Sequence, residues 1–189
     1  MRITGGQARS IPIITPKGDA TRPATDQMRE RVFSSLGKAI EGTRCLDLFA
    51  GSGAYGLEAL SRGAAEVTFV EKHRGTAQVI SKNLAALKKA MPRPVNASVK
   101  AQDGLSFSTS EAAFDLIFID PPYPILHKVA PKVFELISKW SDAGLAIWEC
   151  PAESDLSHPQ WTPLKRLGKG KGQSPTVLIL QKVGGPLIA

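Results

Sequence analysis

From residue 43 onward the chain alternates short runs of consecutive apolar residues with longer stretches whose apolar positions recur every three or four residues. "RCLDLFA" reads as a buried strand and "AYGLEALSRG" as a helix ending at Gly63. "EVTFVEK" is a second strand, followed by a long helix from Gly75 to about Ala90. "VNASVKA" predicts a third strand, and residues 104–112 a short turn or helix. "FDLIFID" is the fourth strand, "KVAPKVFELISKW" a helix and "GLAIWEC" the fifth strand. Two closing pieces, "WTPLKRL" and "TVLILQKV", flank the loop "GKGKGQSP" and read as an antiparallel edge hairpin. Upstream, "TDQMRERVFSSLG" (25–37) predicts a helix capped by Thr25 or Asp26, striped by Met28, Val32, Phe33 and Leu36, and stopped by Gly37. "TPKGDATRP" (15–23) is loop, and "RITGGQARSIPII" within residues 2–15 reads as a small β-hairpin about a Gly-Gly turn. Repeated β-α-β units imply an α/β fold with a doubly wound, right-handed, mostly parallel sheet.

With 189 residues and 42% apolar content, the chain is expected to form one soluble domain with a small appendage. No apolar run approaches the ~20 residues of a membrane span, and "MRITGGQARS" lacks the apolar core of a signal peptide. The expected location is therefore cytoplasmic, without membrane partners. Cys45 and Cys150 lie far apart in apolar stretches, and His73, His127 and His158 show no ligand spacing. No disulfide framework and no metal site is expected.

Charge is unevenly distributed. Of the net +7, residues 1–40 carry seven Lys/Arg against three Asp/Glu, residues 41–150 twelve against twelve, and residues 151–189 five against two. Basic ends around a neutral body suit a polyanion if both ends share a face.

The turn after the first parallel strand, "DLFAGSGAYG", places Gly51, Gly53 and Gly56 as G-x-G-x-x-G, and Glu71 ends the second strand 20 residues beyond Gly51. These features fit NAD and S-adenosylmethionine equally. Asp47, four residues before Gly51, and Asp103 after the third strand favour the second. Carboxylates help a ligand bearing an ammonium and a sulfonium, and do little for a pyrophosphate. Asp103 can accept from an adenine amine. The fourth strand then delivers Asp120, Pro121, Pro122 and Tyr123 to the same sheet edge. The Asp120 carboxylate and the Pro121 carbonyl can hold the two hydrogens of an exocyclic amine. Pro-Pro fixes the backbone, and Tyr123 can stack on a base.

"DLFAGSG" with "DPPY" is shared by methyltransferases acting on amino groups of nucleic-acid bases. The whole chain resembles the RsmD family of bacterial 16S rRNA guanine-N2 methyltransferases, through "MRITGG", "TRPATDQMRERVFSSL", "CLDLFAGSGAYGLEALSRGA", "VEK" and "FDLIFIDPPY". The resemblance implies a Rossmann-like class I S-adenosylmethionine-dependent methyltransferase with a mostly parallel seven-stranded sheet. It also implies action on 16S rRNA of the small ribosomal subunit, and nothing in the sequence demands more than a monomer. Residues 1–24 would be an RNA-contacting hairpin extension and residues 25–189 the methyltransferase domain. Asp47, Phe49, Ala50, Gly51, Ser52, Gly53, Glu71, Lys72, Asp103, Gly104 and Asp120 would serve the cofactor. Asp120, Pro121, Pro122 and Tyr123 would serve the target guanine, and Arg2, Arg9, Arg22, Thr25, Arg29, Lys169 and Lys171 the RNA. Family members usually carry a Lys/Arg-Tyr-Gly element before the last strand. "GKGKGQSP" lacks the tyrosine, so that Lys169 and Lys171 would replace an aromatic contact with charge.

Four rivals remain. A DNA amino-methyltransferase acting on adenine N6 or cytosine N4 would need room for a target-recognition domain. A protein glutamine methyltransferase would carry Asn in place of Asp120. A non-catalytic RNA-binding module would not need the intact acids, and an oxidoreductase would show a hydride-transfer partner such as Tyr-x-x-x-Lys.

Overall fold

The computed structural model describes residues 1–16, 25–109, 114–141 and 144–185. After an N-terminal arm the elements follow in order: α1 (Asp26–Leu36), β1 (Arg44–Leu48), α2 (Ala54–Ser61), β2 (Glu66–Glu71), α3 (Arg74–Ala90), β3 (Asn96–Ala101), β4 (Leu116–Ile119), α4 (Leu126–Trp140), β5 (Leu145–Pro151), β6 (Trp161–Leu167) and β7 (Pro175–Lys182). The seven strands form one sheet in the order β3-β2-β1-β4-β5-β7-β6. The first five strands of that order run parallel, whereas β7 is antiparallel to both β5 and β6. The chain leaves the centre through β2 and β3 and returns at β4, so strand order reverses between β1 and β4. Ligand clefts of open α/β sheets form at such a switch point, beyond the strands' carboxyl ends.

Side-chain alternation divides the core in two. Cys45, Phe69, Phe118 and Ile147 pack with Val32, Phe33, Leu57 and Ile80 on the face covered by α1, α2 and α3. Leu46, Val70, Ile117 and Trp148 pack with Val133, Phe134 and Ile137 of α4 on the other. Every residue of β4 and β5 is buried, the mark of central strands covered on both faces. Pro131 sits inside α4, where the buried stripe Leu126, Val129, Ala130 and Val133 holds the helix despite the lost N–H.

The N-terminal arm is a minimal hairpin: an antiparallel bridge pairs Arg2 with Pro12, and the Ile3 N–H donates to Ile11 O and the Ile13 N–H to Met1 O, both at 3.0 Å. Other arm amides turn to α2: Thr4 and Gly5 donate to Glu58 at 2.8 Å each, and Ala8 to Ser61 Oγ at 2.9 Å. At Gly6, with φ +77°, a side chain would run into the Ser61 carbonyl. Ile3, Ala8 and Ile13 join the core beneath α1–α3, which fastens the arm to the body of the protein. The segment 104–112 shows only a 3₁₀ turn at Gly104–Ser106, capped by Asp103, with 110–113 outside the described residues. Among the described residues no helix is long and apolar enough to cross a membrane.

Candidate active site

The ends of β1, β2 and β4 open into a cleft of about 670 Å³, walled by residues 49–52, 71–73, 103–105 and 120–123. Strand periodicity explains its charge. Cys45 and Phe69 face the α1–α3 layer, so Asp47 and Glu71, two residues on, face it too. Phe118 and Asp120, and Ile147 and Glu149, repeat the step on β4 and β5. Four carboxyl groups thus leave the same face of the sheet at its carboxyl edge.

The glycine loop is held open by backbone geometry. Phe49, Gly51 and Gly53 have φ of +63°, +53° and +78°, and Gly53 caps α2. Gly51 N–H donates to Glu71 Oε2 at 3.0 Å, while Glu71 Oε1 accepts from His73 N–H at 2.8 Å. Glu71 therefore ties the first strand's loop to the second's and is fixed in position. A side chain at Gly56 would overlap the Phe69 ring, so the third glycine brings α2 against β2. Asp47 lies under the loop, accepting from Gly56 N–H at 2.9 Å, and burial pushes its carboxyl up to about 7. Asp103 accepts from Leu105 N–H at 2.9 Å and pairs with Lys72 at 3.0 Å. Those contacts hold its carboxyl below its ordinary value. Lys72 thus reaches the cleft as the partner of an acid. Gly104 backs onto Leu48 and the Phe49 ring.

Asp120 extends the β4 ladder, its N–H donating to Leu48 O at 3.4 Å. Pro121 is buried and Pro122 exposed, and a 3₁₀ turn, Tyr123–Ile125, closes with Ile125 N–H on Pro122 O at 3.0 Å. The Asp120 carboxyl is raised well above its ordinary value by burial and by the charges of Glu149 and Asp47. Burial, Glu149 and Asp120 likewise raise the half-buried Tyr123 phenol.

Glu149 is the functional candidate that the sequence reading missed. Only 3% exposed, it accepts from Tyr55 Oη at 2.9 Å, and burial pushes its carboxyl up to about 7. Tyr55 stacks on Phe118 with ring centres 5.3 Å apart. Thr15 and Pro16, at the end of the N-terminal arm, also line the cleft and were missed.

Of the residues expected to meet RNA, Arg2, Arg9, Lys169 and Lys171 are exposed, and Arg22 lies outside the described residues. Thr25 is exposed and caps α1 through Oγ1. Arg29 requires correction: with 0% exposure it cannot touch RNA. Its guanidinium donates to Arg2 O and pairs with Asp26 at 2.8 Å and Glu58 at 3.9 Å, an internal cation of the fold. The two basic segments do converge. Arg29 binds the arm at Arg2, and the neighbouring Met28 lies beside Gly168 at the start of the Lys169–Lys171 loop. That loop follows β6 at the sheet's carboxyl edge, since Pro175 pairs with Pro151 at the end of β5. Among the described residues no group of His, Cys, Asp and Glu is arranged to hold a metal ion.

A family model described as Conserved hypothetical protein 95 matches residues 1–175. Ribosomal RNA small subunit methyltransferase D of Haemophilus influenzae is 33% identical over 176 residues, covering 90% of this chain and 89% of that protein. Its Escherichia coli K12 namesake is 43% identical over 124 residues, 65% of this chain but only 60% of that protein's length. The solved structure of Escherichia coli yhhF superposes with a TM-score of 0.79 at 34% identity, covering 96% and 97% of the two chains. N-methyltransferase NodS of Bradyrhizobium japonicum, 14% identical with a TM-score of 0.60 over 83% of this chain and 96% of its own, shares the fold alone. The sheet order, the glycine loop and these likenesses define a Rossmann-like class I methyltransferase fold. Within that class the chain belongs to the RsmD family.

Proposed function

We propose that the protein transfers a methyl group from S-adenosylmethionine to the exocyclic N2 amine of a guanine in 16S rRNA of the small ribosomal subunit. The observation that carries this reading is the Asp120–Pro121–Pro122–Tyr123 turn beside an acid-lined cleft at the switch point. The cleft's composition fits the cofactor: Asp47, Glu71, Asp103 and Asp120 line it, and Lys72 is engaged by Asp103. Carboxylates there suit a cation and oppose a pyrophosphate. When bound, S-adenosylmethionine supplies a methyl group made electrophilic by its sulfonium. Glu71, immobilised by two backbone N–H groups, would accept the ribose hydroxyls, with Asp103 and Gly104 on the adenine side and residues 49–53 along the loop.

The Asp120 carboxylate and Pro121 carbonyl would accept the amine's two hydrogens and turn its lone pair toward the methyl. Tyr123 would stack on the flipped base, a contact worth about 1–3 kcal/mol. The product's proton would pass to Asp120. Residues 1–24 would act as the RNA-contacting extension and 25–189 as the methyltransferase domain, working as a monomer in the cytoplasm. Arg2, Arg9, Arg22, Lys169 and Lys171 would hold phosphates around it.

A methylation assay on small ribosomal subunits, naked 16S rRNA and duplex DNA tests this, with the product located by mass mapping. N2-methylguanine in the rRNA supports it, and label on DNA alone sinks it. Glu71→Ala should weaken S-adenosylmethionine binding by roughly 10- to 100-fold in calorimetry, the scale of lost charge-assisted hydrogen bonds of ~1.5–3 kcal/mol. An unchanged affinity would remove Glu71 from the cofactor's site. Replacing Lys169 and Lys171 together by Ala should lower the slope of log K for RNA against log salt by about 2. A slope equal to wild type would place that loop off the RNA.

A further inference from the structure

We propose that Glu149 is a positioning residue for this methyl transfer: it holds one proton in common with Asp120, so that the pair meets the amine carrying a single negative charge. The inference rests on the function proposed above and on a cluster of groups that the function did not absorb. Ile119 pairs with Trp148 in the parallel register of β4 and β5, and the next residues on the two strands are Asp120 and Glu149. Both continue the alternation of side chains facing α1–α3, so the two carboxyls leave the sheet side by side. Tyr55 reaches down from α2 and donates its hydroxyl to Glu149 at 2.9 Å, fixing one carboxylate oxygen.

The groups bearing on the pair come from every neighbouring element. Asp47 on β1 adds a third acid, Arg29 on α1 a cation, and Tyr123 and Cys150 are neutral hydrogen donors at neutral pH. Arg29 is already paired with Asp26 and Glu58, and Asp47 lies close by, so a second charge on the pair is unfavourable. Accordingly both carboxyls are raised, Glu149 to about 7 and Asp120 well above its ordinary value, by burial first and, for Asp120, by the neighbouring charge. Like charges sharing a site cannot both ionise readily.

The consequence is chemical. As the N2 lone pair bonds to the methyl carbon, the carbon–sulfur electron pair goes to sulfur. The amine's N–H electrons return to nitrogen as its proton passes to an Asp120 oxygen. Burial disfavours even the single charge, so the pair takes that proton more readily than an exposed carboxylate would, and is then left neutral.

Carboxyl ¹³C NMR titration from pH 4 to 10 of the wild type, Glu149→Gln and Asp120→Asn tests the shared proton. In Glu149→Gln the Asp120 midpoint should fall by about one unit or more. The wild-type pair should ionise in two separated steps, and Asp120→Asn should keep only the lower of them, because the steps belong to the pair. An Asp120 midpoint that stays in place in Glu149→Gln overturns the proposal; should Glu149→Gln fail to fold, an upper step that survives in Asp120→Asn overturns it. In single-turnover methylation the acid limb of the pH profile should move to lower pH in Glu149→Gln, since Asp120 then ionises earlier. A slower variant with an unmoved limb would make Glu149 merely structural and overturn the proposal. A wild type that methylates no RNA would instead sink the functional reading, leaving the titration to decide the shared proton by itself.

Discussion

Asp120→Ala is expected to lower single-turnover methyl transfer by about 10³-fold, the scale on which one preorganised polar group at a reacting centre acts. Its affinity for S-adenosylmethionine should change by no more than about threefold. The separation follows from placement: Asp120 leads into the Pro121–Tyr123 turn, whereas the Glu71 carboxylate is held by the glycine loop at Gly51 N–H and by His73 N–H. The variant should also be more stable than wild type at neutral pH. A carboxyl whose folded value is raised binds its proton more tightly in the folded state, so ionising it costs stability as pH rises above its unfolded value near 4. The stability gain of Asp120→Asn should therefore grow with pH, which thermal unfolding at pH 5 and pH 8 would show. Full turnover by Asp120→Ala would remove the residue from the reaction. A gain that shrinks with pH would refute the raised carboxyl.

The strands were legible because parallel central strands are written as nearly continuous apolar runs, and their tips were legible because acids and glycines stand out there. Glu149 was passed over although it obeys the same rule. In "GLAIWEC" it lies two residues after Ile147, just as Asp120 follows Phe118. What made it a site residue was the register of β4 against β5, and local pattern does not contain register. Arg29 was misplaced for the opposite reason. A basic residue beside "TRPATD" read as RNA-facing, yet it precedes Val32, Phe33 and Leu36 by three, four and seven residues, on the buried stripe of α1. The arm's alternation showed its two bonded sides, but not the bonds that Thr4, Gly5 and Ala8 make to a helix more than 50 residues away. Such long-range polar pairing leaves no periodic trace.

Glu58→Ala is expected to have the largest effect on stability. Glu58 is fully buried on α2 and collects the Thr4 hydroxyl, the Thr4 and Gly5 amides, Arg62 Nε at 2.8 Å and Arg29 Nε at 3.9 Å. Its removal strands two amides and deprives the buried Arg29 of the Glu58 carboxylate. Breaking a buried ion pair from one side costs about 3–5 kcal/mol, which in a chain of this size lowers Tm by roughly 10 °C. The damage should be directional. Amide exchange at Ile3, Ser10 and Ile13, which bond across the arm, should accelerate before that of β1 or β4. Because Thr15 and Pro16 close one side of the cleft, loosening the arm should also weaken cofactor binding, an effect absent from an arm that merely hangs on the surface. A Tm within about 2 °C of wild type, or arm and core amides accelerating together, would show that Glu58 does not latch the arm to the site.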